Sequence, residues 1–178
     1  NGHTANEFGD YDEDIYITEL KKGKWSSPKG IGAPLNTDQD EGAGSFAYDG
    51  QRLLLYKSEN NNYDVFESKL DGNNWTAPKR KMENLPFTDK MHETFACYEP
   101  LDIKIHYITD GGNQGGKNIF MTGLMKIANR RSEWGKGQSV SHKINTKFNE
   151  GSVFIHPDGK TMYFSSEGHR SMGGYDIY

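Results

Sequence analysis

The chain of 178 residues contains one cysteine and no long apolar run. Without a second cysteine no internal disulfide bond can form. The position of Cys97 within Phe95-Ala96-Cys97-Tyr98 predicts a small buried side chain rather than a reactive thiol. No apolar stretch approaches the roughly 20 residues of a membrane-spanning helix, and the first residues lack the basic start and apolar core of a signal peptide. We therefore expect no direct membrane insertion by this segment.

Basic residues are not in surplus. The chain has 21 Lys and Arg against 25 Asp and Glu, a net charge of -4. A surface that binds nucleic acid needs a surplus of Lys and Arg on one face. The basic clusters Arg130-Arg131 and Lys79-Arg80-Lys81 are short and are interpreted as solvated loops. The charge balance predicts no nucleic-acid partner.

Recognisable cofactor and nucleophile motifs are missing as well. The six histidines have no zinc-ligand spacing, and no serine has the context of a nucleophile elbow. The acidic run from Asp10 to Asp14 lacks the glycine and the final glutamate of a calcium loop. The glycine-rich segment Gly111 to Asn118 approaches a phosphate-binding loop, but Asn118 stands where that loop needs Ser or Thr, and a predicted strand follows. The sequence predicts no metal, no cofactor and no catalytic residue.

Aromatic residues and glycines are abundant. Aromatics make up 12% of the chain, which also has 21 glycines, a combination typical of short strands and many turns. The clearest hairpin is predicted from Ser152 to His156 and from Thr161 to Ser165, joined by the turn Pro157-Asp158-Gly159. Composition and hairpin together indicate an all-β fold.

Three series of landmarks recur in the same order along the chain. The first is an Asp or Asn followed by a β-branched residue and an aromatic, at Asp14, Asp64, Asn118 and Asp176, spaced 50, 54 and 58 residues apart. The second is a tryptophan, at Trp25, Trp75 and Trp134. The third is a glutamate that opens an apolar strand, at Glu41, Glu93 and Glu150, preceded twice by Asn-Thr, at Asn36-Thr37 and Asn145-Thr146. We interpret the series as an internal repeat.

Each full period holds four strand candidates, which is typical of a β-propeller blade. The predicted strands are 44–48, 52–57, 63–70 and 75–79 in one period and 94–98, 104–109, 118–122 and 134–140 in the next. The predicted fold class is an all-β propeller of four-stranded antiparallel blades, with a partial blade at 1–40, blades at 41–85 and 86–145, and a partial blade at 146–178. Leu124, Ile127 and Ala128 have helical spacing, so a helical turn is an open alternative there.

Both outer blades of this arrangement lack strands. Their terminal strands cannot pair with one another to complete a missing sheet. We therefore expect the segment to be a slice of a longer propeller, or to be completed by chain outside it.

The repeated residues allow more than one role. Glu41, Glu93 and Glu150 can brace neighbouring blades by accepting hydrogen bonds or can serve as an active-site pair, and recurrence in every repeat favours bracing. Trp25, Trp75 and Trp134 can form a carbohydrate platform, but one per blade at a fixed phase favours blade packing. Asp14, Asp64, Asn118 and Asp176 are interpreted as structural positions at the start of each third strand.

The amino-acid sequences of the repeats resemble those of a known family. The segments Lys24 to Glu41, Phe154 to Ser166 and Ser171 to Tyr178 resemble the TolB-type, WD-like β-propeller repeat, and in particular repeats of OmpA-family outer-membrane lipoproteins of Bacteroidetes, among them the PorE-like component of type IX secretion. The resemblance implies a periplasmic, outer-membrane-associated propeller that binds protein partners of the cell envelope, with peptidoglycan bound only through a domain outside this chain. The middle repeat departs from the pattern at Glu99 to Asp102, which predicts a different turn.

A non-enzymatic propeller module for protein contacts is the leading hypothesis from these patterns. Three alternatives stay open: a propeller enzyme that hydrolyses glycans with paired carboxylates, a propeller that gates a separate peptidase domain, and a sugar-binding propeller. Carboxylates about 5 to 10 Å apart in a pocket, one with a raised pKa, would favour glycan hydrolysis.

Overall fold

The computed structural model describes residues 12–60, 62–80, 91–101, 103–111, 115–127, 131–170 and 172–178, which form strands and turns and no helix. None of these residues belongs to a helix that is long and apolar enough to span a bilayer. The strands form successive antiparallel sheets, numbered here first to fourth in chain order. The all-β class predicted from the sequence is confirmed.

The first sheet is a short hairpin with two interrupted arms. Its strands are β1 (Tyr16–Ile17), β2 (Leu20–Lys21), β3 (Lys24–Trp25) and β4 (Lys29–Gly30). β2 pairs with β3 next to the turn, and β1 pairs with β4 further out. The two arms therefore correspond to the third and fourth strands of the repeat.

The second sheet contains the repeating unit in full. Its strands are β5 (Glu41–Phe46), β6 (Arg52–Glu59), β7 (Asn62–Asp71), β8 (Asn74–Trp75) and β9 (Lys79–Arg80). β5, β6 and β7 pair in sequence order, and both β8 and β9 pair with β7. β8 and β9 are thus two halves of one interrupted fourth strand.

The third sheet repeats this arrangement, and the fourth repeats its first three strands. The third consists of β10 (Glu93–Tyr98), β11 (Lys104–Thr109), β12 (Asn118–Ile127), β13 (Arg131–Trp134) and β14 (Gln138–Ser139). Both β13 and β14 pair with β12. The fourth consists of β15 (Glu150–Ile155), β16 (Met162–Ser166) and β17 (Asp176–Ile177), paired in that order.

Apolar side chains pack each sheet against the next. Ile15 and Ile31 of the first sheet join Leu55 and Phe66 of the second in one buried cluster. A larger cluster unites the second and third sheets, and includes Leu54, Val65, Ala96, Tyr98, Ile105 and Tyr107. A further cluster joins Cys97, Ile108 and Ile119 of the third sheet to Val153 and Ile155 of the fourth. Small four-stranded sheets stacked face to face in chain order are the architecture of a β-propeller. The described residues form part of one.

Several strand boundaries differ from the prediction. β5 and β15 begin at their glutamates, because Glu41 pairs with Lys57 and Glu150 pairs with Ser166 within the ladders. The predicted strands 75–79 and 134–140 are each split after the tryptophan. The split arises because the carbonyl of the next residue leaves the ladder and accepts a side-chain hydrogen bond, from Ser68 in the second sheet and from Thr122 in the third.

The alternative prediction of a helical turn around Leu124 is wrong for the described residues. Leu124 and Ile127 lie in β12 and pair with Trp134 and Arg131, whereas Ala128 lies outside the described residues. The extra residues of this repeat extend the hairpin, since every added pair satisfies its backbone groups within the ladder. The first hairpin of the same sheet closes between Glu99 and Lys104, and Leu101 has a φ of 83° there.

Candidate functional site

Two of the three repeated glutamates bind the segment that precedes them. The backbone N–H of Thr37 donates to Glu41 at 2.8 Å, and the Thr37 hydroxyl donates to the other carboxylate oxygen. The Thr146 hydroxyl donates to Glu150 at 2.9 Å, and the Ser166 hydroxyl donates to the same oxygen at 3.0 Å. Both carboxylates therefore tie the entry of a first strand to its own sheet.

Glu93 has different surroundings. It is 4% exposed and lies beside Asp64, which forms an ion pair with Arg80. Burial, followed by the hydrogen bond to Asp64 and the negative charge of Asp64, raises the pKa of Glu93 to about 8. The raised pKa favours the protonated carboxyl group of Glu93, which donates to the Asp64 carboxylate. The pair lies at the junction between the second and third sheets.

The other repeated positions occupy equivalent places in the backbone. Trp25, Trp75 and Trp134 each pair with a leucine of the neighbouring strand, namely Leu20, Leu70 and Leu124. Their side chains differ, since Trp25 is exposed, Trp75 has its ring 5.9 Å from that of Phe46, and Trp134 packs on the cluster between the second and third sheets.

Two of the repeated Asp and Asn positions hold nearby turns. Asn118 donates to the carbonyls of Gly115 and Gly116 at 3.0 and 3.1 Å, and Asp176 accepts from the N–H of Met172 at 2.9 Å. Asp14 is half-buried just before β1, next to Ile15. The strand β12 follows Lys117 directly, so the glycine-rich segment leads into a strand and not into the helix of a phosphate-binding loop.

Two asparagines join the sheets by mimicking a strand. Asn36 accepts from the N–H of Ile15 at 2.9 Å and donates to the carbonyl of the same residue at 3.0 Å. Asn145 makes the same two bonds with Ile119, at 2.9 and 2.8 Å. Each asparagine thus fixes the connection between one sheet and the next.

The residue immediately before each repeated glutamate makes a further inter-sheet contact, which the sequence pattern did not predict. The backbone N–H of Glu13 donates to Asp40 at 2.9 Å, that of Tyr63 to His92 at 3.3 Å, and that of Lys117 to Asn149 at 2.9 Å. Asp, His and Asn have in common only a side-chain acceptor atom at a similar distance from the backbone. The position therefore cannot be recognised by its residue type. Its constant position directly before the repeated glutamate is the sequence signal that identifies it.

A cleft of about 500 Å³ opens at the end of the sheets where the first strands begin. Residues from all four sheets line it: Glu13, Tyr56, Tyr63, His92, Thr94, Phe95, Lys117 and Gly151. None of the three repeated glutamates, Glu41, Glu93 and Glu150, is among these lining residues. The cleft is the candidate functional site because residues of all four sheets meet there, with side chains from the first three and Gly151 from the fourth.

Two tyrosines form the wall of the cleft. The Tyr63 hydroxyl donates to Asp40 at 2.6 Å, and the Tyr56 hydroxyl donates to Glu13 at 3.3 Å. The ring centroids are 6.1 Å apart in an edge-to-face arrangement. The hydrogen bond to Asp40 is the main cause that raises the pKa of Tyr63, and burial is the main cause that raises the pKa of Tyr56. Both rings are therefore neutral phenols whose hydroxyls are held by carboxylates.

Phe95 adds a strained residue to the same cleft. It sits in a β-bulge between Thr94 and Ala96, with a φ of 41°. A bulky residue at positive φ costs on the order of 1–3 kcal/mol and persists only where the surroundings hold it. Bulges and strain of this kind concentrate at binding sites. Phe95 is thus a strained residue in the lining of the cleft.

Several sequence features lie away from the cleft. Among the described residues, no cluster of His, Cys, Asp and Glu is able to hold a metal ion. Cys97 is buried between the third and fourth sheets, and burial raises the pKa of its thiol to about 12. His3, Asp10, Lys81 and Arg130 lie outside the described residues.

Comparison with known proteins shows a similarity of fold. No protein-family model matches the chain, and no curated protein matches it. Among solved structures it is similar to the crystal structure of TolB from Acinetobacter baumannii, with 18% sequence identity and a TM-score of 0.48. The match covers 92% of this chain and 34% of that one, so the chain spans about a third of the length of that protein.

Proposed function

We propose that this chain is a non-catalytic propeller module that binds another protein through the cleft lined by Tyr56, Tyr63 and Phe95. The strained bulge at Phe95 is the observation that carries the proposal, because the fold holds a bulky side chain at positive φ where it lines an open cleft. The lining includes Tyr56, Tyr63 and Phe95, and tyrosine and phenylalanine are side chains that protein interfaces favour.

The setting of the proposed function is the cell envelope. The resemblance of the repeats to TolB-type propellers of OmpA-family and PorE-like lipoproteins supports a periplasmic, outer-membrane-associated module, with type IX secretion as its proposed assembly. Its partners are then envelope proteins. Contact with peptidoglycan would be made by a domain outside this chain.

The glycan-hydrolase alternative rests on Glu93, because a carboxyl group with a raised pKa beside a second carboxylate suits a general acid. Its position argues against that role. Glu93 is buried, forms a hydrogen bond with Asp64 and is not among the described residues that line the cleft. Glu41 and Glu150 are occupied by Thr37 and Thr146.

Site-specific photocrosslinking tests the proposed function. A benzophenone amino acid placed at Phe95 is expected to cross-link one defined protein from an envelope extract of the source organism, whereas the same group at exposed Tyr163, on the opposite end of the fourth sheet, is expected not to. Glycosidase and peptidase assays run on the same material. Turnover that is lost on changing Glu41, Glu93 or Glu150 would overturn the assignment.

A further inference from the structure

The two ends of the cleft carry opposite charge. Glu13 belongs to the first sheet and lies next to Tyr56 and Tyr63 of the second, whereas Lys117 belongs to the third. Asp40, which holds the Tyr63 hydroxyl, adds a second carboxylate behind the tyrosines. The tyrosine end is therefore acidic and aromatic, and the Lys117 end is basic.

The tyrosine rings are suited to a cation. A ring face attracts a cation through its quadrupole, and a phenol that donates to a carboxylate has a more electron-rich ring. The Tyr56 and Tyr63 rings meet edge to face at an interplanar angle of 61°, and both residues line the cleft. Arginine fits this geometry better than lysine, because its planar guanidinium stacks on aromatic rings and binds a carboxylate with two N–H groups at once.

The tyrosine end is held in position before any ligand arrives. Tyr56 lies against the backbone of Gly42, where an added Cβ would be 1.9 Å from the ring carbon Cζ. Tyr63 is fixed by the bond from its hydroxyl to Asp40, while the N–H of Glu13 also donates to Asp40. Side chains that are already ordered lose little entropy on binding.

From this geometry we infer that the Tyr56, Tyr63 and Glu13 end of the cleft is a subsite for an arginine side chain in an extended segment of the partner protein. The inference rests on the proposed function and names the chemistry of its partner. Lys117 sets the direction of the segment, with an acidic or carboxamide-bearing residue of the partner toward the third sheet.

Paired peptides test the subsite. One is a capped Gly-Ser-Gly-Arg-Gly-Ser-Gly peptide, and the other carries citrulline, which has the shape of arginine without its charge. Titration followed by NMR is expected to give at least roughly tenfold tighter binding of the arginine peptide, with shifts at Tyr56 and Tyr63. Equal binding of the two peptides would overturn the inference.

Variants locate the binding. Glu13→Gln and Tyr63→Leu are expected to remove the preference for arginine over citrulline, while Tyr163→Leu, which changes an exposed tyrosine elsewhere, keeps it. Near-ultraviolet circular dichroism of each variant shows whether the fold is intact. A preference that survives in well-folded Glu13→Gln and Tyr63→Leu proteins contradicts the subsite.

The peptide and cross-linking experiments test the two proposals independently. A protein captured at Phe95 together with equal binding of both peptides leaves the interaction module standing and removes the arginine subsite. Selective binding of the arginine peptide without a captured protein keeps the subsite and removes the proposed protein-binding function.

Discussion

At the scale of single residues, Gly44 shows how closely the second and third sheets approach. An added Cβ at Gly44 would lie 2.5 Å from the carbonyl oxygen of Ala96 and 3.0 Å from that of Leu54. Both neighbours are backbone atoms held in ladders, so neither can rotate away. The glycine is required by the packing of two sheets and not by its φ angle.

We predict that Gly44→Ala lowers the free energy of unfolding by about 1–3 kcal/mol, as expected when a packed interface must open. Gly30→Ala is the matched control, because its added Cβ would meet no atom nearer than 3.9 Å and should change stability by less than about 1 kcal/mol. Urea denaturation measures both. Equal losses would mean that the two sheets are not in contact at Gly44.

Glu93 gives a pH dependence with a definite sign. Its pKa rises from the ordinary 4.5 to about 8 in the folded chain, so the folded state binds the proton more tightly than the unfolded state. The stabilisation is complete below pH 4.5 and is lost as pH rises toward about 8.

We predict that Glu93→Gln removes this loss, since the amide can donate to Asp64 as the protonated acid does but does not titrate. The measurement is the difference in unfolding free energy between the two proteins from about pH 5 to about pH 9. The variant should become relatively more stable with increasing pH. A constant difference would place the Glu93 pKa near its ordinary value.

At the scale of the elements, the break in each fourth strand is held by one recurring hydrogen bond. The hydroxyls of Thr18, Ser68 and Thr122 donate to the carbonyls of Ser26, Thr76 and Gly135 at 2.7, 2.6 and 2.6 Å. Each carbonyl belongs to the residue that follows the tryptophan. The hydroxyl thus replaces a ladder hydrogen bond at the place where the strand is interrupted.

We predict that Ser68→Ala destabilises the chain by about 1–3 kcal/mol, because the Thr76 carbonyl loses its donor at a fully buried side chain. Ser68→Thr should be tolerated, since threonine makes this bond at positions 18 and 122. Thermal unfolding of the two variants provides the measurement. Similar losses from both would show that volume, and not the hydroxyl, matters at this position.

At the scale of the whole molecule, the order of the sheets determines which repeated residues are buried. Ile119 and Ile177 occupy the same position of the repeat, yet Ile119 is 0% exposed and Ile177 is 81% exposed. The fourth sheet covers Ile119 through Val153 and Ile155. Tyr16 and Phe66 show the same contrast on the opposite face, at 62% and 5%.

We predict that Ile119→Ala costs about 2–5 kcal/mol of stability in this chain, the usual range for a buried isoleucine. Ile177→Ala, the same substitution at the same repeat position, should cost about 0.5 kcal/mol or less. Denaturant midpoints compare the two. Comparable costs would contradict the stacking of the third sheet on the fourth.

The sequence by itself determined the all-β class and the register of the landmarks, because strand periodicity and turn residues are local properties. Trp25, Trp75 and Trp134 do occupy equivalent positions, since each pairs with a leucine of the neighbouring strand. The split fourth strands could not be predicted from residue spacing, because each break depends on a hydroxyl of the neighbouring strand. In the second sheet the Ser68 hydroxyl donates to the Thr76 carbonyl.

The cleft exists only in the tertiary structure and could not be predicted from the sequence. Tyr56 and Tyr63 stand on two strands whose register places Tyr56 opposite Val65, two residues from Tyr63, so both rings lie on one face. Glu13, Phe95 and Lys117 reach the same place from other sheets. Side chains far apart in the chain meet only when whole sheets stack, and no local pattern records that contact.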